Sequence, residues 1–174
     1  MKRDTGIVLT LWGIVSLMII SGGVCGIRFN STPSYPRGFY QEISGTARRG
    51  DFVLFCPPKT PAIDMAVKRG YLAPGSCPGG CLPMLKKVFG MPGDRVVITK
   101  DGVTVNGRLV RNSKLDTLDP AGRRLPRFRM DRTLSPGQVF LMSDYNPRSF
   151  DARYFGPIRG SNIISVVRPL FTWR

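Results

Sequence analysis

The chain has 174 residues, with 26 lysines and arginines against 11 aspartates and glutamates and a net charge of +15 at pH 7. It contains no histidine, which excludes Ser-His-Asp and Cys-His catalytic mechanisms and histidine-ligated metal sites. Acid–base chemistry must therefore use lysine, aspartate, glutamate, cysteine or tyrosine. The length fits one domain with a core plus an appendage. The positive charge attracts anionic lipid or nucleic acid, unless it serves only solubility.

The N-terminal region predicts a membrane anchor. Residues 6–27 carry no charge and are long enough to span the hydrocarbon core as a helix. Lys2 and Arg3 precede them and favour a cytoplasmic N-terminus, so the body of the protein would lie outside the cytoplasm. A cleavable signal peptide is the alternative, but the apolar stretch is longer than a usual signal core. We therefore predict an anchor over residues 1–28 in the inner (cytoplasmic) membrane and a periplasmic domain over residues 29–174.

A proline-rich segment with a serine follows this stretch. Pro33 and Pro36 exclude a helix, and Gly38 permits a sharp turn. Ser34 is therefore held in a stiff, irregular segment close to the membrane. Taken alone, the segment is more typical of a linker with an incidental serine.

The rest of the chain predicts a mostly β domain. Residues 62–69 favour a short helix, and the Asp101-Gly102 pair is a strong signal for a two-residue hairpin turn. Residues 112–132 are polar and basic without periodicity, so we predict an excursion or flap there. Alternating or continuous apolar runs predict strands over residues 52–56, 94–100, 103–110, 138–142 and 162–167.

Two adjacent lysines lie in an apolar run that ends in a Pro-Gly turn over residues 91–94. Residues 88 and 89 favour a strand, and neighbouring side chains on a strand point to opposite faces. One of Lys86 and Lys87 can then face solvent while the other enters apolar surroundings. Desolvation lowers the pKa of a lysine and makes it a neutral base. An exposed edge strand with two solubilising lysines is the alternative.

Three cysteines follow Cys25, which itself lies in the predicted anchor. Outside the cytoplasm, paired cysteines usually form disulfides. We favour a Cys56–Cys77 pair, and Cys81 is the alternative partner. Three thiols without histidine make a zinc site improbable, and we predict neither a metal nor a cofactor.

Three segments, taken in order, resemble signal peptidase I. Ser34 stands just after a membrane anchor, and residues 86–94, KKVFGMPGD, match the family's Lys-Arg-x-x-Gly-x-Pro-Gly-Asp stretch. Residues 143–156, SDYNPRSFDARYFG, match a later family box that ends in Ser-x-Asp-x-Arg-Tyr-aromatic-Gly. The resemblance identifies Lys86, rather than Lys87, as the base.

The serine segment departs from the usual Ser-Met-x-Pro-Thr box of that family. Residues 34–40, SYPRGFY, with Asn30 and Thr32 before them, resemble the conjugative-transfer TraF branch, as does the CPGG stretch at residues 77–80. Members of that branch mature a pilin precursor, in some cases into a head-to-tail cyclic product. The resemblance therefore implies peptide-bond chemistry on a pilin rather than general signal cleavage.

The resemblance also implies roles for individual residues. Ser34 would be the nucleophile and Lys86 its base, since a serine hydroxyl needs a base to become reactive. The Ser34 backbone N–H and the Thr32 hydroxyl would form the oxyanion hole. Ser149 would orient the lysine.

Three aspartates near these segments receive different predictions. Asp151 matches an acidic position implicated in activity in the TraF branch, where ring closure is one suggested role. The alternative is a structural salt bridge between Asp151 and Arg153. Asp94 and Asp144 are predicted to be turn or fold residues.

The sequence thus predicts a mostly β, signal-peptidase-like domain on one transmembrane helix, with Ser/Lys endopeptidase activity. Its expected partners are the lipid bilayer and an exported precursor, a pilin by the TraF resemblance, and no nucleic acid. A paired-aspartate peptidase is a weaker enzymatic alternative. From a different class, a non-enzymatic, basic, membrane-anchored assembly protein of a secretion or conjugation apparatus is the main alternative, and only the anchor and the charge support it.

Overall fold

A computed structural model describes residues 26–173. Almost all of the predicted anchor lies outside these residues, so the anchor and the domain boundary stay predictions. Within the described part of the chain, no helix is long and apolar enough to cross a membrane.

Strands dominate the described residues, which confirms the mostly β class. The helices are α1 (Pro61–Lys68) and α2 (Ala152–Phe155), with a 3₁₀ turn at Gly160–Asn162. The strands are β1 (Ile27–Asn30), β2 (Arg37–Ile43), β3 (Phe52–Phe55), β4 (Met84–Gly90), β5 (Arg95–Thr99), β6 (Gly102–Val105), β7 (Arg108–Leu109), β8 (Met130–Thr133), β9 (Gln138–Met142), β10 (Ile158–Arg159) and β11 (Ile163–Trp173).

The strands form two antiparallel sheets. The larger has the order β1-β2-β11-β3-β4-β9-β10, and the smaller has the order β7-β6-β5-β8. Strand β4 is enclosed between β3 and β9, with Lys86 opposite Val53 and Lys87 opposite Met142. Both faces of β4 are largely covered as well, since every residue of the strand is buried or half-buried. This explains the apolar surroundings of the two lysines.

Strand β9 separates two hydrophobic clusters. Val139 and Leu141 pack in the cluster below α1, whereas Phe140 and Met142 pack in the cluster of the smaller sheet. The division follows from the alternation of side chains along a strand. Both clusters therefore depend on β9, and the segment that follows β9 has little freedom to move.

Two elements extend beyond the predicted boundaries. Residues 130–132 belong to β8, which pairs with β5, so the prediction of an excursion through residue 132 was wrong at its end. Only Met130 of β8 is buried, which is why the strand lacks an apolar alternation. Strand β11 continues from residue 167 to Trp173, and the register shifts between Pro169 and Phe171. A proline in a ladder is compatible with such an irregularity because it lacks an N–H donor.

Sequence patterns did not reveal β1, β2 or α2. Strand β2 alternates buried and exposed positions only over its first residues, and α2 has a single turn. The turn at the end of β4 agrees with the prediction: Gly93 has φ +89°, and the Asp94 N–H donates to the Met91 carbonyl at 3.0 Å. Asp94 also binds Arg49 and Asn106, which makes it a fold residue as predicted.

A disulfide joins Cys56, just after β3, to Cys77 in the loop before β4. Cys81 is a buried free thiol in the same hydrophobic cluster. Thr60 caps α1 by accepting a hydrogen bond from Ile63, and Pro61 occupies the first turn, where it needs no N–H partner. The disulfide and α1 together fix the loop that leads into β4.

Candidate active site

Ser34 and Lys86 meet in the structure. The Nζ atom of Lys86 lies 2.7 Å from the Oγ atom of Ser34, although 52 residues separate them in sequence. Lys86 is only 2% exposed, and Ser34 is half-buried. The two side chains are thus within direct proton-transfer distance.

The surroundings of Lys86 favour its neutral form. Burial lowers the pKa of Lys86 to about 8; the Asp151 carboxylate acts against this effect and the Arg153 guanidinium adds to it. Desolvation penalises a charged ammonium, and no carboxylate touches the amine to offset the penalty. At pH 7, one unit below this pKa, about one tenth of the protein carries a neutral Lys86, far more than for an exposed lysine.

Asn30 holds the serine loop from inside. Its side-chain amide donates to the carbonyls of Thr32, Tyr35 and Pro36 at 3.0, 3.2 and 3.2 Å. Its Oδ1 atom accepts from the Thr32 N–H at 3.1 Å. One buried side chain at the end of β1 thus replaces the missing backbone partners on both sides of Ser34.

A second set of contacts holds the loop from the segment after β9. The Ser143 hydroxyl donates to the Ser34 carbonyl at 2.5 Å, and the Asn146 amide donates to the Pro33 carbonyl at 3.1 Å. Ser143 is fully buried. These bonds tie the backbone of the Ser34 segment to the larger sheet.

Lys87 faces the other side of β4. It forms an ion pair with Asp144 at 3.1 Å, and its amine lies 5.3 Å from the centroid of the Phe52 ring. Asp144 also accepts a hydrogen bond from the Tyr35 hydroxyl at 2.9 Å. The expectation that the second lysine points to solvent is therefore corrected: Lys87 is only 23% exposed and helps to anchor Tyr35. Asp144 is a fold residue, as predicted.

Ser149 lies at the dyad but touches the serine rather than the lysine. Its hydroxyl donates to Ser34 Oγ at 3.4 Å. Its carbonyl accepts from Arg153 at 2.8 Å, which holds the Ser149 backbone in place. In the structure Ser149 forms no hydrogen bond with Lys86, so it does not orient the lysine by direct contact.

Thr32 has its polar groups turned toward Asn30. The Thr32 hydroxyl donates to Asn30 Oδ1 at 2.8 Å. An oxyanion-hole role would require that hydroxyl to rotate toward a substrate carbonyl. The assignment of Thr32 and the Ser34 N–H to the oxyanion hole stays a prediction.

Asp151 and Arg153 form a buried ion pair, and both are 0% exposed. Asp151 Oδ1 accepts from Arg153 Nε at 2.8 Å, and Oδ2 accepts from Arg153 Nη2 at 2.9 Å and from the Ser143 N–H at 3.1 Å. Its carboxylate also caps α2. The geometry therefore favours the structural alternative, in which Asp151 positions the loop and touches no reacting atom.

The dyad opens into a cleft with a volume of about 410 Å³. Apolar side chains form much of its wall, including Leu54, Leu85 and Phe150. A cleft of this size suits an extended peptide segment rather than a folded domain. Asp116, Asp119 and Arg148 also line it.

Sequence reasoning missed the buried and half-buried polar residues that hold the serine loop. Asn30, Ser143 and Asn146 are small polar side chains in irregular segments, where most such residues are exposed. The burial of a polar residue could have been predicted only where strand patterns flank it, and the sequence of β1 has no such pattern.

The chain is similar to known proteins along almost its whole length. The family model described as signal peptidase, peptidase S26, matches residues 7–173. A plasmid transfer protein TraF from Escherichia coli is 44% identical over 173 residues, which cover 99% of this chain and 98% of the relative. A conjugal transfer protein TraF from Agrobacterium fabrum is 36% identical over 172 residues, covering 95% and 96%. Signal peptidase I V from Bacillus subtilis is 33% identical over 92 residues, covering 48% and 55%.

Proposed function

Because the chain belongs to the signal peptidase family, peptidase S26, we propose that Ser34 is the nucleophile and Lys86 the general base of a serine endopeptidase of the signal peptidase type. The observation that carries this proposal is the 2.7 Å separation between Ser34 Oγ and the amine of a buried lysine. No histidine is present to serve as an alternative base.

The catalytic cycle needs only these two side chains and water. Ser34 Oγ attacks the scissile carbonyl carbon while its proton passes to the neutral Lys86 amine. The resulting ammonium gives the proton to the leaving amine nitrogen, the C–N bond breaks, and an acyl-enzyme remains. Water then attacks the acyl carbon and gives one proton to Lys86. Lys86 passes this proton to Ser34 Oγ as the acyl C–O bond breaks, which releases the new carboxyl terminus and restores the Ser34 hydroxyl and the neutral amine.

The substrate we propose is an exported precursor, in particular the pilin precursor of a conjugation system. The E. coli and Agrobacterium relatives are transfer proteins by name, and each is matched over more than nine-tenths of its length. In the same cycle, an amine of the pilin in place of water would close a ring. We propose that the protein is anchored in the inner membrane by residues 6–27, with the cleft in the periplasm.

The test is a processing assay on purified full-length protein in detergent with a pilin precursor. Ser34→Ala and Lys86→Ala should each abolish processing, whereas Lys87→Ala should retain most of it. Cleavage by Ser34→Ala at the wild-type rate would refute the assignment of the nucleophile, whereas no processing by wild-type protein would leave a non-enzymatic assembly role. Mass spectrometry of the product separates a linear from a cyclic pilin.

The topology is tested separately with spheroplasts. External protease should digest the domain that follows the anchor, while the N-terminal tip stays protected. Protection of the whole chain, or a mature protein that begins near residue 25, would contradict the proposed retained anchor.

A further inference from the structure

One wall of the cleft carries an acidic side chain that the dyad does not use. Asp116 lines the same cleft as Ser34 and Lys86, and it is exposed. No hydrogen bond or ion pair reaches its carboxylate from any residue between 26 and 173; its one hydrogen bond is made by its backbone N–H. Asp116 is thus the cleft aspartate whose charge is left without a direct partner.

The backbone around Asp116 is held in place by α2. The Asp116 N–H donates to the Tyr154 hydroxyl at 3.2 Å. Arg153 donates to the carbonyl of Lys114 at 3.2 Å, two residues earlier. The backbone position of Asp116 is therefore set by the same buried helix that follows the catalytic loop.

Arg153 is close enough to interact electrostatically with Asp116 but has no donor left for it. Burial acts to lower the pKa of Arg153, and the Asp151 and Asp116 carboxylates more than offset this effect and raise it. A guanidinium has five N–H donors. In Arg153 these are occupied by Asp151 and by backbone carbonyls, one of them that of Ser149.

Asp119, three residues after Asp116, is an aspartate of the same segment whose carboxylate has a structural role. Its carboxylate accepts from the Tyr71 hydroxyl, from the Ala121 N–H at 2.9 Å and from Arg123 Nε at 2.6 Å. These bonds close the turn that forms the cleft wall. Asp116 shares the wall but has none of these contacts, so wall structure does not account for its carboxylate.

The surroundings of Asp116 in the cleft are apolar. Leu82 and Leu118 line the same cleft, and each is about half exposed, at 51% and 52%. Leu125 lies in the same wall and is half-buried. Apolar surface beside a free carboxylate suits an amphipathic cationic side chain, whose methylene stem packs while its charged end finds the acid.

We propose that Asp116 is a specificity-determining residue that binds a positively charged ammonium group of the polypeptide substrate beside the dyad. The proposal rests on the peptidase function proposed above and adds a preferred substrate chemistry to it. A lysine side chain and a free amino terminus present the same group. The chain has a net charge of +15, which repels cationic groups. One free carboxylate in the cleft creates a local preference for such groups.

The experiment uses full-length protein in detergent and a pool of random-sequence peptides, half of them acetylated at the amino terminus. Mass spectrometry of the products gives residue enrichment around the cleaved bonds. Wild-type protein should enrich an ammonium-bearing residue at one position by about two- to fivefold, the range expected of an exposed ion pair. If acetylation removes the enrichment, the ammonium is the amino terminus; if not, it is a lysine side chain.

Three variants make the assignment specific. Asp116→Asn should remove the enrichment, and Asp116→Lys should reverse it toward acidic residues. Asp101→Asn, an exposed aspartate in the turn between β5 and β6, should keep it. A melting curve shows that each variant is folded.

The two proposals fail in different ways in this assay. An enrichment that is absent in wild-type protein, or unchanged in Asp116→Asn, overturns the role of Asp116 while cleavage itself continues. Cleavage of the pool by Ser34→Ala overturns the peptidase assignment instead.

Discussion

Two adjacent lysines on opposite faces of strand β4 have different surroundings. Lys86 enters the cleft and is 2% exposed, and among residues 26–173 the one hydrogen-bond partner of its amine is the neutral hydroxyl of Ser34. Lys87, one residue later, forms an ion pair with Asp144 and lies over the Phe52 ring. The same side chain is thus a candidate base on one face and a structural cation on the other.

The difference lies in the partner rather than in burial alone. A buried lysine beside a carboxylate would stay charged, because the ion pair offsets desolvation. The carboxylate that acts on Lys86, Asp151, is paired with Arg153 and affects the lysine without forming a hydrogen bond to it. Because Asp151 is paired with Arg153, its carboxylate does not form an ion pair with Lys86. The Asp151–Arg153 pair also supports the loop after β9.

The largest expected effect comes from removal of the amine on the cleft face. Lys86→Met should lower peptide cleavage by about 10²–10⁴-fold, the usual contribution of a general base. The same variant should be more stable at pH 7, by up to about 3 kcal/mol at roughly 1.4 kcal/mol per pKa unit, because the buried ammonium is gone. Chemical denaturation measures the stability. A Lys86→Met protein that is less stable than wild type would contradict the account.

Acidity should act on the same amine. The fraction of neutral Lys86 falls about tenfold for each pH unit below a pKa of about 8, so cleavage at pH 6 should be roughly one hundredth of its plateau. Stability should rise between pH 8 and 10.5, because the unfolded chain binds more protons there than the folded protein. A flat rate profile from pH 6 to 9 would remove Lys86 as the base.

Breaking the Asp151–Arg153 pair should harm both structure and chemistry. Asp151→Asn is expected to lose about 3–5 kcal/mol of unfolding free energy, because Arg153 is left buried with a neutral partner. Asp151 raises the pKa of Lys86, so the midpoint of the rate profile should also move to lower pH. Thermal melting and the pH profile together test this prediction. A stable variant that changes only the ratio of cyclic to linear pilin would restore a direct role for Asp151.

The support of the serine loop can be weakened without touching the dyad. Asn30→Ala removes three donated hydrogen bonds, and we expect a loss of about 1–3 kcal/mol and a slower cleavage step. Ser31→Ala, an exposed position in the same loop, is the matched control and should change neither quantity. Equal behaviour of the two variants in denaturation and steady-state assays would show that Asn30 does not hold the loop.

The smallest effect is expected on the other face of β4. Lys87→Ala removes a partly exposed ion pair, which should be worth about 1 kcal/mol or less. Because Lys87 does not contact Ser34, cleavage should remain within a fewfold of wild type. A loss as deep as that of Lys86→Met would mean that the two faces are not chemically distinct.

The sequence predicts the surroundings of Lys86 better than those of Lys87. Strand alternation and the KKVFGMPGD stretch indicate that one lysine enters apolar surroundings, and the resemblance selects Lys86. The ion-pair partner of Lys87 is Asp144, which lies 57 positions away in sequence and is not indicated by any local pattern. Long-range polar contacts of this kind come from the packing of β4 against β9.

The fold shows the same division. The hairpin of β5 and β6 follows from a local turn signal, although its two-residue turn is residues 100–101 and Gly102 already belongs to β6. The predicted helix agrees with α1 to within one residue at each end. Strands β1 and β2 have no such signal, yet they frame the serine loop through Asn30. The prediction failed where buried side-chain hydrogen bonds, rather than periodicity, determine the backbone.

The account depends most directly on the protonation state of Lys86 in the folded protein. NMR titration of ¹³Cε-labelled lysines, with the Lys86 resonance assigned by its absence in Lys86→Arg, measures it without reference to any substrate. We predict a midpoint of about 8. A Lys86 resonance that does not titrate until about 10.4, the ordinary value for lysine, would contradict the assignment of this residue as the base.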